Sequence, residues 1–336
     1  MTMDLPYAHG GPPLVAELRR EPADFRVEEI LGFAPSGSGE HAFVLIEKTA
    51  ANTEWVAREL ARRLGLAPVA IGFAGLKDRH AITRQAFTVH LGQRAEPDWQ
   101  ALDIEGVRVL SVARHARKLK RGSHRGNRFE IRLRAPQGER DRAQAVLDAI
   151  VAQGVPNYFG EQRFGRDGGN ADLARQLFAG ARMPRERRGI ALSAARSELF
   201  NAALAQRVAA GSWNRALDGE VWMLAGTHSV FGPEPLDDAL RERLASGDIH
   251  PSGPLWGRGE LRSTDAVRAL ELAVADAHAE LARGLEAAGL EQQRRALRLL
   301  PRELAASWQD DGLAIRFALE AGAFATTVLR ELARWH

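Results

Sequence analysis

The sequence predicts an α/β (α+β) protein in which strands and helices share one mixed sheet, with a second, helix-rich unit set into the chain. Three observations carry this reading. Short runs of alternating apolar and polar residues recur through the first 134 positions and return at 313–319, the period of a half-buried strand. Helix-period stretches with glycine stops lie among them at 52–65 and 139–154. The middle third then turns alanine- and leucine-rich, with six acids against two arginines over 265–291.

Each element follows from its residues. Residues 24–30 alternate around Phe25 and Val27, and Phe43–Ile46 form the apolar centre of a second strand. The Pro-Ser-Gly-Ser-Gly-Glu turn at 35–40 predicts that these two pair as a hairpin. Gly37-x-Gly39-x-x-Ala42 matches a dinucleotide fingerprint in outline, but a β-rich run follows where that motif requires a helix. Asn52 or Thr53 can cap a helix whose face is Val56, Leu60 and Leu64, ended by Gly65. Strands are expected at 84–91, 107–113 and 129–133, and a helix from 139 to 153. Ser197–Ala210 and 265–291 read as helices, 247–257 as irregular, Leu313–Leu319 as a strand and Val328–Arg334 as a last helix.

At 336 residues, two domains or one domain with a large insertion are expected. A 45% hydrophobic and 26% charged composition describes a folded chain. No apolar run reaches the ~18 residues of a membrane span, and the first residues lack a secretory pattern. A cytoplasmic, monomeric protein without a membrane partner is the expectation. With no cysteine, disulfides and thiolate metal sites are excluded, and the ten histidines show no metal-ligand spacing, so no metal is expected. Walker A, His-Glu-x-x-His and Gly-x-Ser-x-Gly motifs are absent.

Two basic stretches stand out. Asp78 is the only carboxylate between Glu59 and Glu96, and Lys77, Arg79, His80 and Arg84 surround it after the pair Gly72 and Gly75. A lone acid there suits a nucleophile facing a polyanion, and equally a turn aspartate bonded to its own backbone. From Arg114 to Arg134 there are nine Arg/Lys residues and one acid, with glycines at 122 and 126. A solvated face explains the strand part of this run. Nucleic-acid contact better explains its glycine-rich cationic loop. Asn157–Gly165 interleaves aromatics with glycine and Arg163, which suits either base stacking or a packed loop.

Gly72-Phe-Ala-Gly-Leu-Lys-Asp-Arg-His-Ala81 closely resembles the catalytic motif of the TruD family of tRNA pseudouridine synthases. Further stretches match in the same order: Asp24-Phe25 with Gly39-Glu40-His41, His124–Phe129, Asn157–Gly165 and Gly322–Glu331, so that the resemblance spans nearly the whole chain. It implies isomerisation of a uridine in tRNA, usually uridine 13 of the D-arm, to pseudouridine without metal or cofactor. It implies a pseudouridine synthase-type mixed, largely antiparallel sheet with flanking helices, plus an inserted TRUD domain. The catalytic domain would comprise 1–153 and 305–336 and the insert 154–304, with tRNA held in the cleft between them.

By motif position Asp78 is the catalytic aspartate, and Phe25, Asn127 and Phe324 bind substrate. Phe129 stands where many pseudouridine synthases carry tyrosine. The family often has a lysine ahead of the Asp-Phe pair, where this chain has Arg19 and Arg20. Electrostatic support and RNA contact would come from Lys77, Arg79, His80, Arg19, Lys118, Lys120, Arg121, Arg125, Arg128 and Arg163. Flipping a base out of its stack costs a few kcal/mol, which stacks on Phe25, Phe129 or Phe324 at roughly 1–3 kcal/mol each could offset. The residue pattern also admits a non-catalytic RNA-binding protein or a glycosylase that releases the base.

Overall fold

The structure, a computed structural model, describes residues 5–165 and 168–335. The chain begins with β1 (Leu14–Leu18), β2 (Phe25–Ile30), β3 (His41–Thr49), α1 (Thr53–Arg63), β4 (Ile71–Phe73), β5 (Ile82–His90), β6 (Val107–His115) and β7 (Gly126–Gly138). Next come α2 (Arg140–Gln153), β8 (Val155–Pro156), α3 (Glu161–Phe164), α4 (Gly169–Phe178) and α5 (Arg185–Ala209). After these follow β9 (Trp222–Leu224), β10 (Val230–Phe231), α6 (Asp238–Ser246), β11 (Ile249–Leu255), α7 (Asp265–Ala277), α8 (Ala279–Ala287), β12 (Gln293–Ala296) and β13 (Arg298–Leu299). The last elements are β14 (Arg302–Gln309), β15 (Gly312–Glu320), α9 (Ala325–Leu332) and β16 (Ala333–Trp335), so the last helix stops two residues short of the expected Arg334.

Contacts group these elements into two compact units. A sheet unit holds Leu14–Glu139, Pro301–Gly322 and residues 334–335; a helical unit holds residues 5–13, Arg140–Leu300 and Ala323–Ala333. This division differs from the boundaries at 153 and 305 expected above. The helix α2 goes with the helical unit because its buried residues Ala143, Val146, Leu147 and Ile150 lie on a helix that packs with α9. Phe324, which precedes α9, falls in that unit too.

In the sheet unit the strand order is β14-β15-β7-β2-β5-β3-β6, with β1 also on β7 and β4 also on β5. Of these pairings only β2 with β5 is parallel, and the others are antiparallel. The hairpin expected between β2 and β3 does not form, since β5 lies between them. Turn residues at 35–40 are real, but the connection is long enough to cross one strand, and turn chemistry alone does not fix the neighbour.

Alternation decides the faces. Phe25 and Val27 on β2, Phe129, Ile131 and Leu133 on β7, and Leu313, Ile315, Phe317 and Leu319 on β15 are buried together. Val44, Ile46, Phe87 and Val89 continue this apolar surface under α1, whose Val56 and Leu60 are fully covered. Each such side chain contributes about 1.5–3 kcal/mol. Helix α1 starts after Asn52 and stops at Leu64, with Gly65 at φ +62° taking the chain out of the helix.

One feature of this sheet positions the site. Both β2 and β4 lie along β5: β2 pairs with Ile82–Arg84, and β4 with Phe87–Val89. The loop 74–81 leaves β4 and enters β5 beside the gap between the two.

The helical unit is built on α5, against which α4, α7 and α8 pack. Ala191, Ala195, Leu199 and Ala203 of α5 meet Val274, Leu281 and Leu285. Its helix begins at Arg185, earlier than expected, because the first turns are exposed and carry no apolar period. The stretch 265–291 is two helices, broken at His278, rather than one. The stretch 247–257, expected to be irregular, contains β11, which pairs with β9 through Ile249–Pro251 and with β12 through Ser252–Leu255. Each half of β11 is paired on one side, so Pro251 and Pro254 can sit in it without breaking a ladder bond. Among the described residues no helix is long and apolar enough to cross a membrane.

Candidate active site

The loop 74–81 is fixed by its main chain. Lys77 N–H donates to Thr53 Oγ1 at 3.0 Å, Thr53 Oγ1 donates to Gln85 Oε1 at 2.7 Å, and Gln85 Nε2 donates to Gly75 O at 3.1 Å. Gly122 N–H donates to Ala74 O at 2.8 Å, which ties the cationic loop 118–125 to the same segment. Lys48 Nζ donates to Asp78 O at 3.0 Å. The glycines serve close approach rather than a turn. A Cβ on Gly72 would lie 2.5 Å from Thr88 Oγ1, and one on Gly75 would lie 2.9 Å from His124 Cε1 and 3.0 Å from Lys77 Nζ. Burial, then the Lys77 ammonium, push the His124 imidazole below its ordinary range.

On this loop Asp78 presents a carboxylate that is about a third exposed and ion-paired with Arg19 Nη2 at 3.0 Å. Arg19 sits at φ +62°, a left-handed backbone that costs a non-glycine residue roughly 1–2 kcal/mol. Its guanidinium lies 4.1 Å over the Phe25 ring. The basic partner of Asp78 is therefore Arg19, and Arg20 instead lies 3.5 Å from Glu17.

Behind the loop, Lys77 Nζ pairs with Glu29 Oε1 at 2.7 Å, both side chains almost fully buried. The other Glu29 oxygen accepts Ala86 N–H at 3.2 Å, filling the gap between β2 and β4. Lys77 was expected to help contact RNA; burial and Glu29 make it an internal ion pair instead. Asn127 stands opposite Glu29 and Leu319 in the sheet. Its Oδ1 is buried and has no hydrogen-bond partner among the described residues, and the same holds for Arg19 Nε and Thr83 Oγ1.

Of the predicted aromatics Phe25 and Phe129 are buried and Phe324 is half-buried. Phe25 and Phe129 meet edge-to-face at 6.1 Å, and Phe129 lies 5.5 Å from Phe317, with both rings buried. A base stacking on Phe25 would have to displace Arg19. Phe324 belongs to the helical unit, where it packs against the cluster of Tyr158, Phe159 and Phe200.

The remaining cations divide by geometry. Arg79, His80, Lys120, Arg121 and Arg125 are exposed, with Arg121 reaching Glu54 at 2.7 Å. Lys118 bonds Val69 O at 2.5 Å. Arg128 points to the opposite face of β7 from Asn127 and Phe129, 3.3 Å from Glu303 and 3.8 Å from Glu28, so it does not join the Asp78 cluster. Arg163, in the helical unit, donates to Ser193 Oγ at 2.8 Å, and burial lowers its pKa. Among the described residues no group of three or more His, Cys, Asp and Glu could hold a metal ion.

Glu29, Lys48, Thr53 and Gln85 were not singled out from the sequence. Their parity was legible but not their burial: Glu29 is in phase with Phe25 and Val27, Lys48 with Val44 and Ile46, and Gln85 with Phe87 and Val89. Polar groups on the buried parity of three strands mark a polar cluster inside the core.

The model of the family "tRNA pseudouridine synthase D (TruD)" matches residues 5–180 and 174–332. The chain belongs to the TruD family. A tRNA pseudouridine synthase D from Xanthomonas axonopodis pv. citri is 51% identical, over 98% of this chain and 94% of its own length. The enzyme of that name from Methylococcus capsulatus is 50% identical over the same shares. A solved structure from Methanosarcina mazei, assigned to TruD, superposes with a TM-score of 0.76 at 20% identity, covering 98% of both chains. That match supports the TruD fold, a mixed α/β architecture with a largely antiparallel sheet.

Proposed function

We propose that this chain is a tRNA pseudouridine synthase, an isomerase that converts uridine 13 of the D-arm with Asp78 as nucleophile. The observation that carries the reading is the Asp78–Arg19 pair: a partly open carboxylate ion-paired with a guanidinium, on a loop tied through its main chain at Gly75 and Asp78. In this reading the sheet unit serves as the catalytic domain and the helical unit contains the inserted TRUD segment.

The chemistry balances without a co-reactant. The C1′–N1 bond of the flipped uridine breaks, the uracil turns, C1′ joins C5, the C5 proton leaves and N1 takes one up. The carboxylate of Asp78 attacks either C1′ or ring C6, and in both routes it departs when the new bond is made. Arg19 offsets the charge lost and regained on Asp78. The unpartnered Asn127 Oδ1 is an acceptor for the uracil N3–H, an interaction that would fix which way the ring faces. Exposed Arg79, His80, Lys120, Arg121 and Arg125 contact phosphates.

The test compares wild type with Asp78→Asn on unmodified tRNA. Wild type should form pseudouridine at position 13 and the variant should bind tRNA and form none. Normal turnover by the variant would remove Asp78 from the mechanism, product at another position would correct the target, and free uracil would make the enzyme a glycosylase.

A further inference from the structure

Lys48 is the last but one residue of β3 and has no exposed surface. Its neighbours on the same parity, Ala42, Val44 and Ile46, are core residues, so an apolar side chain would suit the position. A charged lysine here must leave water, and among the described residues it makes no ion pair. Its Nζ instead donates to two main-chain carbonyls, Ala51 O at 2.6 Å and Asp78 O at 3.0 Å. Ala51 lies in the β3–α1 connection, and Asp78 is the residue whose side chain meets Arg19. One ammonium thus spans the rigid end of the sheet and the main chain of the proposed nucleophile.

We propose that Lys48 is a positioning residue for Asp78, its buried ammonium holding the main chain of the loop 74–81 to the end of β3. The inference rests on the reading of Asp78 as the reacting group. A carbonyl bonded by a cation gains a shorter, stronger bond than one bonded by a neutral donor. The charges that face Lys48 are Asp78, which favours its protonation, and Lys77, which opposes it. Each has its own partner, Arg19 and Glu29.

Burial lowers the Lys48 pKa from 10.5 to about 8, against the attraction of Asp78. The folded-state value lies below the unfolded one, so across that window the unfolded chain binds the proton and the folded chain does not. This group's contribution to stability therefore rises with pH from about 8 to 10.5. Positioning by the ammonium has the opposite sign, because the tie to Asp78 weakens as the proton leaves. A role confined to stability would move rate and stability together.

The experiment measures single-turnover conversion of unmodified tRNA by the full chain across that window, beside its unfolding free energy. Wild type should slow above about pH 8 while its stability does not fall. Lys48→Met should slow conversion by about 10²-fold at neutral pH, as a displaced reacting group does. It should keep its tRNA affinity, lose the alkaline limb and show faster amide exchange at Lys77–Arg79. Because the chain has no cysteine, Lys48→Cys can be aminoethylated while unfolded and refolded, which restores an ammonium and should restore the rate.

A Lys48→Met enzyme as fast as wild type overturns the proposal, as does one that is slowed but keeps the alkaline limb, or one with unchanged loop exchange. Should that variant not fold, the wild-type profiles decide: rate and stability falling together count against positioning. Should wild type convert no uridine, the functional reading fails instead, and the exchange comparison still decides whether Lys48 holds the loop.

Discussion

Two polar clusters, one in each unit, are each built around an arginine–carboxylate pair and end differently. In the helical unit, Arg294 Nη2 and Nη1 grip Glu271 at 2.6 and 3.2 Å, Ser263 Oγ donates to the same carboxylate at 2.5 Å, and Arg294 Nε donates to Ser252 Oγ at 2.8 Å. Both charged side chains are almost fully buried, and the Arg294–Glu271 pair finds its partners within the protein. In the sheet unit, the cluster around Asp78 is closed only at its back, where Lys77 meets Glu29. Its front leaves a partly exposed carboxylate and buried atoms of Arg19, Asn127 and Thr83 without partners. A polar group left unsatisfied in a fold costs free energy. The open cluster therefore makes sense where a substrate completes it, and the closed one where it joins β12, β11 and α7 into a core.

The sharpest way to break this comparison is to exchange the expected phenotypes. Asp78→Asn, beyond abolishing product, should leave the unfolding midpoint unchanged because its carboxylate is partly solvated. Arg294→Met should do the reverse. Removing one partner strands the Glu271 carboxylate in the core, at a cost of about 3–5 kcal/mol read by denaturant unfolding. Turnover per folded molecule should stay at the wild-type level. If Arg294→Met were instead stable and inactive, the closed cluster would belong to function and the distinction would fail.

A smaller effect is expected at Asn127. Its Oδ1 has no partner to lose, so Asn127→Ala should not lower stability. Loss of an acceptor for the base should cost catalysis about 1–3 kcal/mol, roughly 5- to 150-fold in kcat/KM. A drop in melting temperature without a catalytic loss would show that the amide serves the fold.

The same contrast explains what was legible in the sequence. Strands β2, β5 and β7 showed their period, because apolar side chains alternate with polar ones, and β3 showed as a continuous apolar run. Asp78 stood out as a lone acid among cations, and the resemblance to TruD supplied its expected role. Pairing order was hidden, since the turn at 35–40 looks the same whether the next strand lies adjacent or one place away. So were Glu29 and Lys48. Each is a single charged residue at the end of an apolar run, and alternation cannot tell whether such a residue is the strand's wet end or a buried tie. The bonds that settle this, to Lys77 and to Asp78 O, join residues 48 and 30 positions apart. The direction of Arg128 was hidden for a related reason: a run of cations gives charge but not direction, and β7 turns successive residues to opposite faces.

That last point yields the smallest predicted effect. Lys120 is exposed in the loop tied to Ala74, whereas Arg128 faces Glu28 and Glu303 across the sheet from Asn127. If tRNA approaches the Asp78 side, Lys120→Ala should lower the slope of log affinity against log salt by about one, the loss of one phosphate contact. Arg128→Ala should leave the slope unchanged, because its charge is already neutralised within the sheet. Filter binding of tRNA over a salt series measures both. Equal losses would mean that RNA reaches both faces, and a loss at Arg128 alone would move the binding surface to the side of the sheet away from Asp78. The second outcome would leave the open cluster without its substrate, so this weakest perturbation bears on the assignment of the strongest.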